Sequence, residues 1–341
     1  MANYLVFFFV VSLIAPSVFA ERISAYAKMR LASPVLDIGD VDGDWSLVDD
    51  GRMIQGGARI GSAWHFSSLW TLSVEQRADY IVHFSEETAQ FYSALENNQI
   101  EPGIYPLSLN VKAVKANGLA LSKSWLLGHA SRLELSVNLY EGLRVQSGRL
   151  TGQGSVSEQG AVRYDYQIDY GYDENRLLDS PRNSVTGWGH GLDIHYKARF
   201  NRWSFDLAFN DLLYRYYWRA PRDKGCLSRP LKPDCSVQSL DREWRQSIPH
   251  THEGQLQYHL SRDLDKPVPS LLYDWQYWGR FESHSFGVKQ GSFSVQYEFT
   301  KKILGFAYQS DWLAVKWQFD EVELSRARYW QLNANLSWPI I

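Results

Sequence analysis

The chain lacks a long hydrophobic run beyond its first 20 residues. No later segment approaches the roughly 18 consecutive apolar residues that a membrane-spanning helix requires. The chain also lacks an excess of one charge, because 35 lysines and arginines stand against 38 aspartates and glutamates. This balance argues against nucleic acid or another polyanion as a main partner.

Cysteine is scarce, with only Cys226 and Cys235 in a proline- and charge-rich stretch. In an exported chain, two cysteines at this short spacing predict a small disulfide. They lack the neighbouring histidines that a zinc site would need. The acidic stretch 37–44 departs from the calcium-loop pattern because Trp45 stands where that pattern requires glycine. We therefore predict one disulfide, no metal site and no cofactor.

Recognisable catalytic motifs are also lacking, since the chain contains no nucleophile elbow, phosphate loop or zinc motif. His250 and His252 beside Glu253 offer a possible surface metal site, although a solvated loop or strand start explains them more simply. His284 and Ser285 are adjacent, so in a strand they point to opposite faces and cannot pair directly. We expect no enzymatic activity.

What the chain does have is a two-residue alternation of apolar and polar side chains from about residue 53 to the end. In Val162–Asp173, every even position is apolar or aromatic and every odd position is polar or glycine. Period 2 indicates strands whose two faces meet different solvents, and several runs reach the roughly 9 to 11 residues that cross a bilayer. The pattern predicts an all-β fold: an antiparallel transmembrane β-barrel of about 12–14 strands.

The order of segments along the chain follows from this interpretation. Residues 1–20 have the apolar core and small-residue end of a cleaved signal peptide. Residues 21–52 form an N-terminal, plug-like segment with a possible first strand. Residues 53–341 form the barrel, with external loops near 83–103, 174–189 and 216–253 and one short helix near 85–96, either in an external loop or folded into the pore mouth.

Strand parity constrains the count, since bacterial single-chain barrels have even strand numbers and place both termini on one side. The short turns at Ser67 and Asn201 then lie on the side of the termini, and a strand must precede residue 53. Fifteen candidates result, with 104–115 and 119–127 as separate strands and 271–289 as one strand. Because fifteen is odd, we expect 302–309 to be miscounted or merged.

Charged side chains of both signs fall on the polar face of the alternation, which must line the lumen because charge facing lipid costs about 2 to 4 kcal/mol near the midplane. Two arrangements are compatible with this face: the charged side chains border an open channel, or they pair across a filled interior. Among the charged residues on this face are Arg59, Glu75, Arg77, Asp79 and Glu282. The residues proposed to line a pore are Arg163, Asp165, Asp169, Asp193, His195, Lys197 and Arg199.

The alternation through Trp330–Trp338, with tryptophans at both ends of one strand, resembles the last strand of Gram-negative outer-membrane β-barrel proteins, although this chain ends Pro339-Ile340-Ile341. The resemblance implies outer-membrane lipid as surroundings and insertion by the barrel assembly machinery. Long-chain fatty acid transporters have barrels of comparable type. The Asn-Pro-Ala element near their N-terminus is absent here, so the resemblance stays at the level of the class.

Three functions fit these observations. The first is an outer-membrane channel or transporter for small polar solutes. The second is a structural, assembly or partner-binding barrel whose lumen is filled. The third and weakest is an envelope enzyme acting on lipid or peptide. The oligomeric state is left open by the sequence.

Overall fold

The computed structural model describes residues 21–40, 52–97, 99–174, 184–230, 232, 235–261 and 268–340. It contains sixteen strands and one α-helix, α1 (Glu86–Glu96), with a 3-10 turn at Ile38–Asp40. Within these residues no helix is long and apolar enough to cross a membrane. The strands are β1 (Arg22–Ala32), β2 (Met53–His65), β3 (Trp70–Phe84), β4 (Gly103–Leu126), β5 (Ser131–Val156), β6 (Val162–Tyr172), β7 (Thr186–Phe200), β8 (Trp203–Arg229), β9 (Val237–Ser247), β10 (Thr251–His259), β11 (Ser270–Trp278), β12 (Phe281–Gln290), β13 (Phe293–Glu298), β14 (Ile303–Gln309), β15 (Leu313–Phe319) and β16 (Tyr329–Pro339).

Fourteen of these strands close into an antiparallel barrel, as the alternation predicted. The ring runs β1 to β5, then β7, β8 and β10 to β16, and β16 pairs with β1 from Arg22↔Pro339 to Ala32↔Tyr329. The rim that carries Arg22 and Pro339 is called the lower rim here, and the opposite one the upper rim. The turns at Ser67 and Asn201 lie at the lower rim, and β1 is the required strand before residue 53.

The two remaining strands belong to an extension above the ring. β5 and β8 are 26 and 27 residues long, and their lower halves pair with β7 while their upper parts pair with β6. β9 pairs with the upper part of β8. The segment 216–253, expected to be an external loop, therefore consists largely of strand, because the inward alternation of β8 continues through Tyr214, Tyr216 and Trp218.

The expected adjustment of the strand count was wrong in its details. Ile303–Gln309 is a strand of the ring, whereas 104–115 and 119–127 are one continuous strand, β4. Residues 271–289 form two strands because Gly279 takes a φ of 60° in a two-residue turn. The turn also reverses the expected faces beyond it, so Phe281 is buried and Glu282, expected in the lumen, has a 66% exposed side chain on the outer face.

Helix α1 covers the outer wall of the extension rather than the pore mouth. Ser85 caps the helix by accepting a hydrogen bond from the Thr88 backbone N–H at 3.3 Å. The backbone N–H of Glu87 and the Ser85 hydroxyl donate to the Glu87 carboxylate and lower its pKa. Phe91 packs with apolar side chains on the outward faces of β4, β5 and β6. The upper wall is thus a sheet covered by a helix.

The outer face of the ring is apolar and exposed, as a lipid-facing surface must be. Large exposed hydrophobic side chains recur on it in nearly every strand. Lys123, which interrupts the apolar face of β4, lies near the lower rim with its ammonium 4.8 Å from the Trp70 ring and 5.4 Å from the Trp125 ring. Cation–π contact and a position at the edge of the apolar band explain this exception.

The predicted signal peptide at 1–20 lies outside the described residues, as do residues 41–51 of the N-terminal segment. The described part of that segment provides β1, followed by a short stretch whose Val35 and Leu36 pack on the outside of the wall against Ile54 and Val82. The plug-like role and the assignment of the upper rim to the cell exterior stay predictions.

Candidate functional site

The lower half of the lumen is a polar chamber of about 640 Å³. Ser24, His65 and Thr71 line it near the lower ends of their strands, so the chamber reaches the lower rim. Its wall mixes hydroxyl, amide and charged groups of both signs, and Lys316 in it donates to Asp274 at 2.8 Å. Such a lining can replace the hydration shell of a small polar solute without strongly selecting the sign of its charge.

A buried layer of ion pairs lies directly above the chamber. Arg59 Nη2 donates to both carboxylate oxygens of Asp211 at 2.7 Å. Arg77 binds the same carboxylate through Nη1 and through Nη2, the latter at 3.0 Å, and its Nε donates to Asp79 at 2.6 Å. Arg77 and Asp211 are only 2% and 3% exposed. Since each buried charge meets an opposite charge, the layer satisfies the condition for burying ions inside a barrel.

A distortion of β8 places Asp211 in this layer. The register between β7 and β8 shifts twice around Leu192, and Asp211 and Leu213 adopt φ values of 64° and 57°. Aspartate tolerates this left-handed conformation, while for leucine it costs about 1–2 kcal/mol. The Asp211 backbone N–H donates to Asp193 Oδ1 at 2.7 Å, and Asn138 donates to Asp193 Oδ2 at 2.9 Å. The bulge thereby aims the Asp211 carboxylate into the lumen.

Direct bonds also connect strands on opposite sides of the ring. Arg30 of β1 pairs with Glu253 of β10 at 3.2 Å, and these two strands are seven places apart in the ring of fourteen. Gln55 of β2 donates to the Trp278 carbonyl of β11 at 2.7 Å, again across seven places. The Arg30 guanidinium lies 4.0 Å from the Trp278 ring. These bonds bridge the lumen at the level of the ion pairs.

Aromatic side chains of β8 fill the lumen above the bridged level on the side of β5 and β7. Gly142 and Gly187 are directly paired between β5 and β7, and the Trp218 indole lies over both. A Cβ added at either glycine would lie 2.3 Å from an indole carbon. Trp218 is 1% exposed and donates to Gln246 at 3.0 Å. With Tyr214 and Tyr216 it forms a close-packed core inside the barrel.

The seven proposed pore-lining residues fall into two separate groups. Asp193 and His195 line the chamber. Lys197 and Arg199 lie beside them on β7 nearer the lower rim, and Lys197 binds Asp206 at 3.0 Å. The pore-lining role of this group stays a prediction.

The other three residues, Arg163, Asp165 and Asp169, lie on β6 in the extension above the ring. Asp169 accepts a hydrogen bond from Arg222 there, and Asp165 accepts one from Lys232. These three residues are therefore not brought together with the β7 group. The predicted Cys226–Cys235 disulfide is present in the same extension.

Sequence reasoning missed Asp211 and Glu253. Strict alternation from Phe205, Leu207 and Phe209 would put Asp211 on the outer face, and only the bulge turns it inward. The sequence offers Glu253 as a possible ligand beside His250 and His252, but Glu253 faces the lumen, whereas His252 contacts Phe209 and Tyr277 on the outer wall. No signal in the sequence marks the bulge that turns Asp211 inward. Glu253 could have been found, because strict alternation puts it on the face of the strand opposite to His252.

His284 and Ser285 lie on opposite faces of β12, as adjacent strand residues must. His284 faces outward, where its ring contacts the Tyr273 hydroxyl at 2.8 Å and Glu282 at 3.0 Å. Ser285 is 4% exposed and faces inward. The two side chains therefore cannot pair directly as base and nucleophile, as the sequence predicted.

Comparison with known proteins identifies no relative by sequence. No family model matches the chain, and no curated protein matches it. Among solved structures, it is similar to a deletion mutant of the monoaromatic hydrocarbon channel TodX (13% identity, TM-score 0.42, 96% of this chain and 91% of that chain) and to the Pseudomonas putida toluene transporter TodX (11%, 0.40, 96% and 92%). It is also similar to the outer membrane protease OmpT from Escherichia coli (8%, 0.28, 94% and 97%).

At these identities and TM-scores, the likenesses do not indicate what this chain transports or cleaves. The fold itself is settled by the closed ring of strands. The predicted resemblance to Gram-negative outer-membrane β-barrels is therefore confirmed at the level of the fold, as a closed antiparallel barrel of 14 strands.

Proposed function

We propose that this protein is an outer-membrane channel for small polar solutes and that the structure represents its closed state. The observation that carries the proposal is the polar chamber of about 640 Å³ that ends at a layer of paired charges. A solute entering from the lower rim, or leaving there, would be held by hydroxyl, amide and charged groups. The Arg59–Asp211–Arg77 ion pairs would act as the gate.

Charge pairs suit a gate because they have alternative partners. Glu75 accepts from the hydroxyls of Tyr26 and Tyr140 at 2.8 and 3.1 Å, immediately beside the layer. A guanidinium released from Asp211 can therefore reach another carboxylate or water without remaining unpaired. A closed layer of hydrophobic side chains would offer no such exchange.

We further propose export through a cleaved signal peptide at residues 1–20 and insertion by the barrel assembly machinery. The closed barrel with its apolar outer face supports residence in the outer membrane, with lipid as its surroundings. With an even number of strands, both termini lie at one rim, which would face the periplasm. N-terminal sequencing of the protein from the outer membrane should begin near Glu21.

The second candidate is a barrel that never conducts and presents its extension to a partner. The bonds between β1 and β10 and between β2 and β11 favour it, because each of them crosses the lumen from one side of the ring to the other. The enzyme alternative is weaker. The Ser24 hydroxyl lies 3.1 Å from His65 Nε2 in the chamber, but Ser24 is only 5% exposed. The other ring nitrogen, His65 Nδ1, contacts the Thr71 hydroxyl rather than the carboxylate that a catalytic triad would place there.

Single-channel conductance in planar bilayers tests the proposal. The Asp211→Asn variant leaves Arg59 and Arg77 facing each other without their shared carboxylate, so we expect discrete openings that are more frequent than in the wild type. Glu253→Gln, which weakens the bridge to Arg30, should act in the same direction. Glu134→Gln removes a chamber carboxylate away from the gate and should leave the opening frequency unchanged.

The wild type is also recorded before and after reduction of the Cys226–Cys235 disulfide, which lies in the extension. If the ion pairs are the gate, reduction should change little. Silence of the wild type and of both gate variants, with folded protein shown by circular dichroism, would contradict a channel and support the non-conducting barrel.

A further inference from the structure

A patch of arginines lies on the outer wall where β7, β8 and β9 pair. Two residues of β8, Arg215 and Arg219, flank Tyr217 on the same face. Tyr217 is paired with Trp188 of β7 on one side and with Arg245 of β9 on the other. These five residues are called the arginine patch. All three arginines are exposed, and Trp188 is 56% exposed.

The guanidiniums of the patch have no bound counter-charge within the described part of the chain. Arg215, Arg219 and Arg245 form no hydrogen bond or ion pair there, although arginines elsewhere in the protein are extensively paired. Two carboxylates border the patch: Glu243 of β9 is paired with Arg219, and Glu141 of β5 is paired with Trp188. The three arginines therefore leave a net positive charge on this part of the wall.

The patch contains a cleft with an aromatic side. The Trp188 and Tyr217 rings stack with centroids 4.5 Å apart. Together with Arg219 and Arg245 they line the outer side of a cavity of about 1010 Å³ above the upper end of β7, whose inner side is lined by Trp218 and Trp244. A stacked, exposed aromatic pair offers a flat apolar surface to the ring of a sugar, and the neighbouring guanidiniums offer paired N–H donors to phosphate oxygens.

The surface immediately below the patch is apolar. Below the level of Arg215 and its paired neighbour His190, the next outward residues toward the lower rim are Leu192 and Leu213, followed by Ile194 and Phe209. Leu213 is 68% exposed and Phe209 is 36% exposed. A molecule seated on the patch would thus have phosphate at the arginines, a sugar ring at the aromatic pair and hydrocarbon chains along the apolar wall.

We propose that the arginine patch binds the head group of a phosphorylated glycolipid in the leaflet at the upper rim. Arginine suits this task because its planar guanidinium binds phosphate through two parallel hydrogen bonds and remains charged at every physiological pH. The continuous apolar wall below the patch favours a lipid over a free phosphate or a soluble sugar phosphate. The site is on the outer wall, so the proposal holds whether or not the lumen conducts.

Native mass spectrometry of the whole protein in detergent, with added lipid A as the phosphorylated glycolipid, tests the site. The triple variant R215Q/R219Q/R245Q should bind it at least about ten-fold more weakly than the wild type, because three charge-assisted hydrogen-bond partners are lost. Trp188→Ala should weaken binding on its own. The matched control K301Q/K302Q/R326Q removes three positive charges from another part of the upper rim and should bind like the wild type.

Two further lipids separate the possible sources of the phosphate. Dephosphorylated lipid A should bind the wild type more weakly than lipid A, and the triple variant should no longer distinguish them. Equal binding of both by the wild type, or an equal loss in the control variant, would overturn the proposal. Preference for phosphatidylglycerol over lipid A would also overturn it, since a simple anionic phospholipid would then be the ligand. Circular dichroism of each variant establishes that it is folded.

Discussion

The packing of Trp218 over two glycines makes Gly187→Ala a sharp test of how the upper lumen is held together. Gly187 has no left-handed backbone angle, so the added methyl group acts through packing alone. Its Cβ would lie 2.3 Å from an indole carbon of Trp218, whereas ordinary contacts are 3.4–4 Å. The ring must therefore move by about 1 Å within a core where it is 1% exposed.

The expected cost is about 2 kcal/mol of the free energy of unfolding. Overpacking a filled core costs about 1–3 kcal/mol. Displacing the indole also strains its hydrogen bond to Gln246, and a lost bond adds about 1 kcal/mol. Replacing glycine by alanine restricts the unfolded chain and returns about 0.4–1 kcal/mol. The free-energy cost of overpacking is therefore larger than the stabilisation that comes from restricting the unfolded chain.

Urea unfolding of the protein in vesicles, followed by tryptophan fluorescence, measures this cost. Gly57→Ala is the matched control, because Gly57 also faces the lumen in a strand but its Cβ would meet no atom closer than 3.6 Å. In a Trp218→Phe background, the smaller ring should make Gly187→Ala cheaper. If Gly187→Ala and Gly57→Ala have the same stability, the close packing of the upper lumen is refuted.

Three other predictions concern the gate, the helix and the chamber. Arg77→Ala should lower the free energy of unfolding by about 3–5 kcal/mol, because it leaves the buried Asp79 carboxylate without its guanidinium and removes one of the two guanidiniums that bind Asp211. Arg149→Ala on the exposed surface should change it little, and equal urea midpoints would contradict this. Ser85→Ala removes the cap of α1, costs about 1 kcal/mol, and should reduce amide exchange protection in α1 alone. Neutralising Lys197 and Arg199 together should shift ion selectivity toward cations in any variant that conducts, and an unchanged reversal potential would remove them from the conducting path.

The architecture of the ring could be predicted because lipid and water act on every residue of a strand. In β16, the alternation from Trp330 to Trp338 results directly from one face meeting lipid. The strand could therefore be predicted without knowing which strands pair with it. The same logic placed Arg59, Arg77 and Asp79 on the inner face. Solvent, unlike a specific contact, leaves a regular signature in the sequence.

Departures from the regular pattern were the part that could not be predicted. Asp211 reaches the lumen through a bulge that a long-range contact stabilises, namely the hydrogen bond from its backbone N–H to Asp193 eighteen residues away. β6 alternates as cleanly as a membrane strand, yet it lies in the extension, where Phe91 of α1 covers part of its outward face. Burial by a helix and burial by lipid select the same apolar residues, so alternation alone cannot separate them.

The distribution of packing inside the barrel indicates where an opening movement must occur. On the side of β5, β7 and β8, the Trp218 core is close-packed against glycines, and a path through it would break many contacts at once. Between β1 and β10, which lie across the ring from each other, the lumen is bridged by Arg30 and Glu253, beside a cavity of about 70 Å³. That volume corresponds to about two water molecules. Above that cavity, Met53, Trp278, Phe281, Ile303 and Tyr329 form a second buried cluster in the lumen. A channel in this protein would therefore separate its charged layer first beside Arg30, where charged side chains can exchange partners with water, and would open fully only when this cluster also moves.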